Sequence, residues 1–179
     1  MTPFTPLVES AAGFACLRHQ GQLRKCLGRV PYIAHPAEVA ELVTLLGGSD
    51  VAVAAAWLHD TVEDCPPTTI RELTARFGGA VAAVVAELTD DKQLSKPERK
   101  QRQIESAPRK SPAAALVKLA DKTANVRSVG HTPPVDWSRG RRIAYLDWAA
   151  QVVAALPAST APFRPVFDRA LRDSRRMVW

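Results

Sequence analysis

Ser49-Asp50-Val51-Ala52-Val53-Ala54-Ala55-Ala56-Trp57-Leu58-His59-Asp60-Thr61-Val62-Glu63-Asp64 runs from two capping residues through eight apolar ones into a charged end. Ser or Asp accepts a hydrogen bond from the first free backbone N–H groups of a helix, and Ala and Leu propagate one readily. Eight apolar residues fall far short of the ~20 that cross a membrane. The stretch reads as a buried helix with a polar tip. Outward from it the same pattern repeats. Thr5-Pro6 opens an amphipathic segment, and His35-Pro36 opens a second that runs to Gly47-Gly48. Downstream of Pro66-Pro67, Thr69-Ile70-Arg71-Glu72 reads as a capping box with Gly78 as its stop, followed by a Val/Ala-rich helix to about Thr89. Ser95-Lys96-Pro97-Glu98 is another box, opening a charged helix to about Ala107. Ser111-Pro112 starts a helix with Leu116, Leu119 and Ala120 at core spacing, Ser138 caps a long one ending near Pro157, and a last one spans 162–175. No segment alternates with the period of a strand, and no Asn-Gly or Asp-Gly marks a hairpin. The expectation is an all-α fold: one helical domain over residues 1–179, a bundle of about eight to ten helices.

Composition sets the class. A chain of 179 residues suits one domain, and 46% apolar with 23% charged residues is the balance of a globular protein. Nothing at the start reads as a secretory signal, so a cytoplasmic protein without a membrane partner is expected. Cys16, Cys26 and Cys65 lack Cys-x-x-Cys spacing and cannot all pair, which argues against a disulfide framework or a zinc knuckle. The excess of 24 Lys+Arg over 18 Asp+Glu gives a net charge of +6, compatible with a polyanionic small molecule or with solubility alone.

Histidine is scarce, four in all, so its placement carries weight. On a continuous helix His59 and Glu63 stand four apart, as do Asp60 and Asp64, so one turn would present an imidazole and three carboxylates together. Such a cluster repels itself unless a cation, a proton or basic neighbours compensate. A solvated acidic helix end is the plainer alternative. His35 precedes a helix-opening proline, and Asp121 sits mid-helix on one face with Lys118 and Asn125. Together His35, His59, Asp60 and Asp121 form a two-imidazole, two-carboxylate set, which suits a hydrolytic Mn²⁺ or Fe²⁺ better than a closed zinc site. The ligands alone do not choose among divalent ions.

The order His…His-Asp…Asp resembles the HD phosphohydrolase superfamily. The words Arg24-Lys25, Pro31-Tyr32-Ile33-Ala34-His35-Pro36, Leu58-His59-Asp60-Thr61-Val62-Glu63-Asp64, Thr89-Asp90-Asp91-Lys92 and Val117-Lys118-Leu119-Ala120-Asp121-Lys122 are similar to the hydrolase domain of RelA/SpoT proteins. They are most similar to the stand-alone small alarmone hydrolases, over residues 5 to 157. The resemblance implies Mn²⁺-dependent hydrolysis of ppGpp and pppGpp at the 3′ position, giving GDP or GTP plus pyrophosphate. It implies that His35, His59, Asp60 and Asp121 hold one Mn²⁺, and that Glu63 and Asp64 position or activate the attacking water; which of the two takes the proton stays open. It places Arg24, Lys25 and Lys96 toward substrate phosphates, and Asn125 and Tyr145 near the ribose and base. No length remains for a synthetase domain in this chain.

The chain departs from that pattern in three places. The loop Cys26-Leu27-Gly28-Arg29-Val30-Pro31 has its glycine one residue early, Leu23 replaces a commonly basic residue, and Cys65 follows Glu63-Asp64 where threonine is usual. None touches an expected ligand; all bear on substrate preference. Removal of the 2′-phosphate of NADPH, or cleavage of another nucleotide, would use the same metal site. A non-catalytic alarmone- or RNA-binding module is the third reading, with no RNA-recognition signature to support it. His19 and His131 fall outside the ligand positions, and the basic run Lys92 to Lys110 reads either as a funnel for an anionic nucleotide or as a solvated face.

Overall fold

The computed structural model describes residues 5–178, whose first helix starts at Pro6 and whose last ends at Val178. Residues 1–4 and 179 of the expected domain lie outside the described residues. Among the described residues ten α-helices follow one another: α1 (Pro6–Arg18), α2 (Ala34–Leu45), α3 (Asp50–Leu58), α4 (Thr61–Asp64), α5 (Ile70–Phe77), α6 (Gly79–Leu88), α7 (Lys96–Ser106), α8 (Pro112–His131), α9 (Arg139–Ala155) and α10 (Arg164–Val178). Among the described residues there is no strand, only an isolated bridge between Leu23 and Pro31. No described helix is long and apolar enough to cross a membrane.

Local chemistry starts these helices where the caps lie. Ser49, Ser95, Ser111 and Ser138 each accept a hydrogen bond from the backbone N–H three residues on. Ser95 and Glu98 complete a reciprocal box. The box at Thr69 is only half made. Its hydroxyl accepts from Glu72 N, but the Glu72 carboxylate turns away to Arg18 (2.7 Å) and Arg76 (3.1 Å). Two guanidinium donors outweigh one backbone N–H. The last helix begins at Arg164 rather than 162, after a 3-10 segment over Ala158–Phe163. Pro162 and Pro165 have no N–H to give an α-helical ladder; Pro165 fits the first turn, where none is needed.

Helix α8 is the axis of the molecule. On one side Ala114, Leu116, Val117, Ala120 and Ala124 join an apolar cluster with α1, α2, α3, α5 and α6. On the other, Ala115, Leu119, Val126 and Val129 pack with α9 and α10. Ala54, Ala55 and Ala56 of α3 are fully buried, and their small side chains let the neighbouring helices approach closely. Gly130 is needed where α10 crosses α8: a Cβ there would lie 2.7 Å from the Cα of Ser174. Between its two apolar faces α8 carries Lys118, Asp121 and Lys122, all buried, toward the tips of α2 and α3.

Candidate functional site

The decisive local event is a break. The segment from His59 to Asp64 is not one helical turn: α3 stops at Leu58 and α4 restarts at Thr61. Two side chains take carbonyls that backbone N–H groups would otherwise claim. Thr61 Oγ1 donates to Leu58 O (2.7 Å), and His59 Nδ1 lies 2.7 Å from Ala56 O. The break separates the expected acidic cluster. Asp60 stays inside, Glu63 is half-buried behind it, and Asp64 turns to the rim, where Oδ1 meets Lys92 Nζ at 2.7 Å.

The structure brings the ligand candidates together from three elements. One donor atom each from His35, His59 and Asp121 lies within 4.8 Å of the other two. Asp121 Oδ1 is 3.3 Å from His35 Nε2 and 3.9 Å from His59 Nε2. Asp60 Oδ2 is 3.2 Å from His59 Nε2 and 3.7 Å from His35 Nε2. These side chains are oriented from behind. Tyr32 Oη donates to Asp60 Oδ2 at 2.7 Å, Lys122 Nζ to Asp121 Oδ2 at 3.0 Å, and Asn125 Nδ2 to Asp121 Oδ1. Asn125, expected near a ribose, is therefore tied to the ligand carboxylate itself.

Electrostatics make the cluster a trap for positive charge. Burial opposes ionisation of Asp60, yet His59 and His35 hold its carboxyl well below the usual range. Burial likewise opposes charge on Asp121, and Lys122, His35 and Lys118 overcome it. Burial disfavours imidazolium at His59, but Asp60 and then Asp121 push it up to about 9. Burial and Asp60 drive the Tyr32 phenol far above its ordinary value, so it remains a donor. A divalent ion fits these residues. His59 Nε2 is sealed from solvent without a hydrogen-bond partner, while the Nδ1 contact with Ala56 O turns Nε2 inward, where a metal would take the place of its proton. An imidazole pair with two ionised carboxylates is a donor set for a divalent transition metal.

Beyond the candidate ligands, Glu63 Oε2 accepts from Asp90 N (3.3 Å) and Oε1 lies 3.7 Å from Arg99 Nη1. Burial, then Asp90, raise its carboxyl above the ordinary value. Next to Asp90 opens a hollow of about 230 Å³, lined by Lys96, Arg99, Trp137, Arg141, Tyr145 and Trp148. Tyr145 is in ring contact with both tryptophans, at centroid distances of 5.3 and 5.2 Å, and burial first keeps its phenol protonated by pushing it to about 12. Burial, Arg141 and Lys25 all lower the Lys96 amine, the mark of cations gathered without enough counter-charge. Lys25 is exposed, with its backbone O accepting from Val135 N. Arg24 is not brought into this hollow. It donates to Ser128 Oγ (3.0 Å) and borders a separate cleft of about 240 Å³.

Several participants escape a reading of the chain alone. Tyr32 stands in the Pro31-to-Pro36 word, but its bond to Asp60 spans 28 residues. Arg99, Asp90 and Trp137 become visible only through the fold. Arg141, Tyr145 and Trp148 do carry a signal, a spacing of four and three that puts them on one face of α9. Cys65 has a neighbour the sequence hides: its Sγ lies 3.3 Å from His19 Nδ1. Burial pushes that thiol up rather than activating it, and His19, outside the cluster, packs locally with Nδ1 2.8 Å from Gln22 Oε1. His131 is exposed and apart from the cluster.

Comparison with known proteins agrees with this geometry. The HD domain family matches residues 11–144. Mouse guanosine-3′,5′-bis(diphosphate) 3′-pyrophosphohydrolase MESH1 is 49% identical over 148 residues, 82% of each chain. The Xenopus tropicalis protein of the same name is 43% identical over 175 residues, 97% of each. A solved metazoan orthologue of SpoT that hydrolyses ppGpp superposes over the full length of both chains with a TM-score of 0.91, at 33% identity. By the extent and identity of these matches, the chain belongs to the HD-domain family, in the branch of the MESH1 proteins.

Proposed function

We propose that the chain is a Mn²⁺-dependent guanosine-3′,5′-bis(diphosphate) 3′-pyrophosphohydrolase, releasing pyrophosphate from ppGpp and pppGpp. One observation carries the reading: the His35–His59–Asp121 cluster, with Nε2 of His59 sealed inside it, lies beside a half-buried carboxylate and a basic, aromatic hollow. His35, His59, Asp60 and Asp121 would hold the ion. A divalent ion there supplies Lewis-acid chemistry, offsetting charge on a phosphoryl oxygen and acidifying water. Mn²⁺ suits mixed nitrogen and oxygen donors with room for water.

The protein's own groups do the rest. Glu63 is the general base: its raised carboxyl is a better proton acceptor than an ordinary one, and Asp90 N–H with Arg99 fixes its direction. Asp64, ion-paired to Lys92, holds the rim instead of taking the proton. Water oxygen bonds to the phosphorus attached to O3′, Glu63 takes the water's proton, the P–O3′ bond breaks with its electron pair going to O3′, and O3′ takes a proton from solvent water to leave as the nucleoside hydroxyl. Lys96 and Arg141 attract phosphate charge, while Trp137 and Tyr145 offer ring faces to the guanosine. Three unpaired thiols, Cys16 among them exposed, suit a reducing, cytoplasmic setting.

The test is hydrolysis by metal-stripped protein with and without Mn²⁺, on ppGpp, pppGpp, NADPH, GTP and dGTP, separating phosphate from pyrophosphate. Mn²⁺-dependent pyrophosphate release from ppGpp is expected. Phosphate released from NADPH alone would keep the site and change the substrate, and no turnover of any of them would overturn the reading.

A further inference from the structure

Among the described residues, the two buried lysines of the cluster, Lys118 and Lys122, are treated differently by the fold. Lys122 pairs with Asp121 and lies 4.5 Å over the Trp148 ring, Lys92 pairs with Asp64, and Arg99 reaches Glu63. Lys118 is only 5% exposed, yet among the described residues it has no hydrogen bond and no ion pair. It stands one turn before Asp121 on the inner face of α8, and the charges it feels are those of Lys122, Asp121, Asp90 and Asp60, the borders of the site. Burial and then Lys122 press its amine down from the ordinary value. A charge taken out of water without a partner is costly, and proteins keep one where something else supplies the partner. The acids nearby are already engaged: Asp121 by Lys122 and Asn125, Asp60 by Tyr32, Asp90 by Gln103 Nε2. What the amine lacks is an anion.

We propose that Lys118 is a substrate-contacting residue, whose ammonium binds an oxygen of the diphosphate group that leaves as pyrophosphate. The inference rests on the phosphohydrolase reading for the identity of the anion, and on the orphaned buried charge for its place. It differs from the role of Lys122, which is to hold Asp121.

The probe is inorganic pyrophosphate titrated calorimetrically into the Mn²⁺-loaded protein, wild type against Lys118→Met and Lys118→Arg, with thermal midpoints and Mn²⁺ affinity measured alongside. Lys118→Met should weaken pyrophosphate binding at least tenfold and lower kcat on ppGpp about 100-fold. Its Mn²⁺ affinity and thermal midpoint should hold or rise, because an unpaired charge gives way to an apolar chain of similar length. Lys118→Arg, which keeps the charge, should recover most of the pyrophosphate binding. If Lys118→Met binds pyrophosphate as the wild type does, the proposal fails. It fails equally if Lys118→Arg is as weak as Lys118→Met, or if the loss of binding tracks a fallen midpoint, the signature of a merely structural residue. Should the wild type bind pyrophosphate through Lys118 yet turn over no nucleotide, the anion contact stands and the pyrophosphohydrolase reading alone is lost.

Discussion

The two walls of the site are made differently. The inner wall, from the tips of α2 and α3 and the middle of α8, places His35, His59 and Asp121 at 3, 5 and 6% exposure, with His59 braced by Ala56 O and Asp121 by Lys122. The outer wall, from α7 and α9, presents Lys96 and Arg141 to solvent around a cluster of rings. Donors on the inner wall cannot relax when one is lost, because their rotamers are set by the core. Cations on the outer wall are long, mobile and replaceable by water. Changes to the inner wall should therefore act on metal and kcat, and changes to the outer wall on KM.

The largest expected effect is at the centre of the inner wall. Asp121→Ala removes a ligand and leaves Lys122 buried without its carboxylate, so metal content by elemental analysis and turnover should both vanish while the helical circular dichroism persists. Glu63→Gln keeps the ligand set; kcat should fall about 100- to 1,000-fold with Mn²⁺ stoichiometry unchanged. A wild-type rate in that variant would assign the proton to another group. Tyr32→Phe deletes only the donor behind Asp60, and the apparent Mn²⁺ affinity should weaken about 10- to 100-fold in a metal titration.

Protons sharpen the same contrast. His59 is held at about 9, above its ordinary value, so what its charge contributes to the metal-free fold is complete below about pH 6.5 and lost as pH rises through about 9. Metal must displace that proton. Mn²⁺ affinity should therefore climb about tenfold per pH unit and level off near pH 9, whereas an affinity independent of pH would mean that His59 is neutral before metal arrives. The smallest effect belongs to the outer wall: Lys96→Ala should raise KM for ppGpp about three- to tenfold, less at high salt, and leave kcat within a factor of two.

The inner wall was readable in the chain for a physical reason. Its ligands sit on helices announced by caps and prolines, and their chemistry is unusual enough to stand out among four histidines. Helical spacing found Asp121 and grouped it with Asn125, though not the hydrogen bond between them. Helical spacing does not reveal the break between His59 and Asp64, because Thr61 and His59 cap the end of α3 with their own side chains. The pairing of Glu72 with Arg18, across 54 residues, likewise undid a capping box that the local sequence spells out. Most of the outer wall was hidden. Lys96 and Tyr145 came only with the family likeness, and Trp137 and Arg99 acquire meaning from contacts between helices far apart in the chain.

Because α8 contributes to both apolar clusters, it cannot come loose from one without exposing the other. Binding energy gained at Asp121 is thereby shared by the bundle, and metal should raise the opening free energy of amides in α10 as well as those beside the site. Hydrogen exchange would read α8 as the slowest segment and α10 as its follower, so that the C-terminal helix, remote from any chemistry, reports whether the site is loaded.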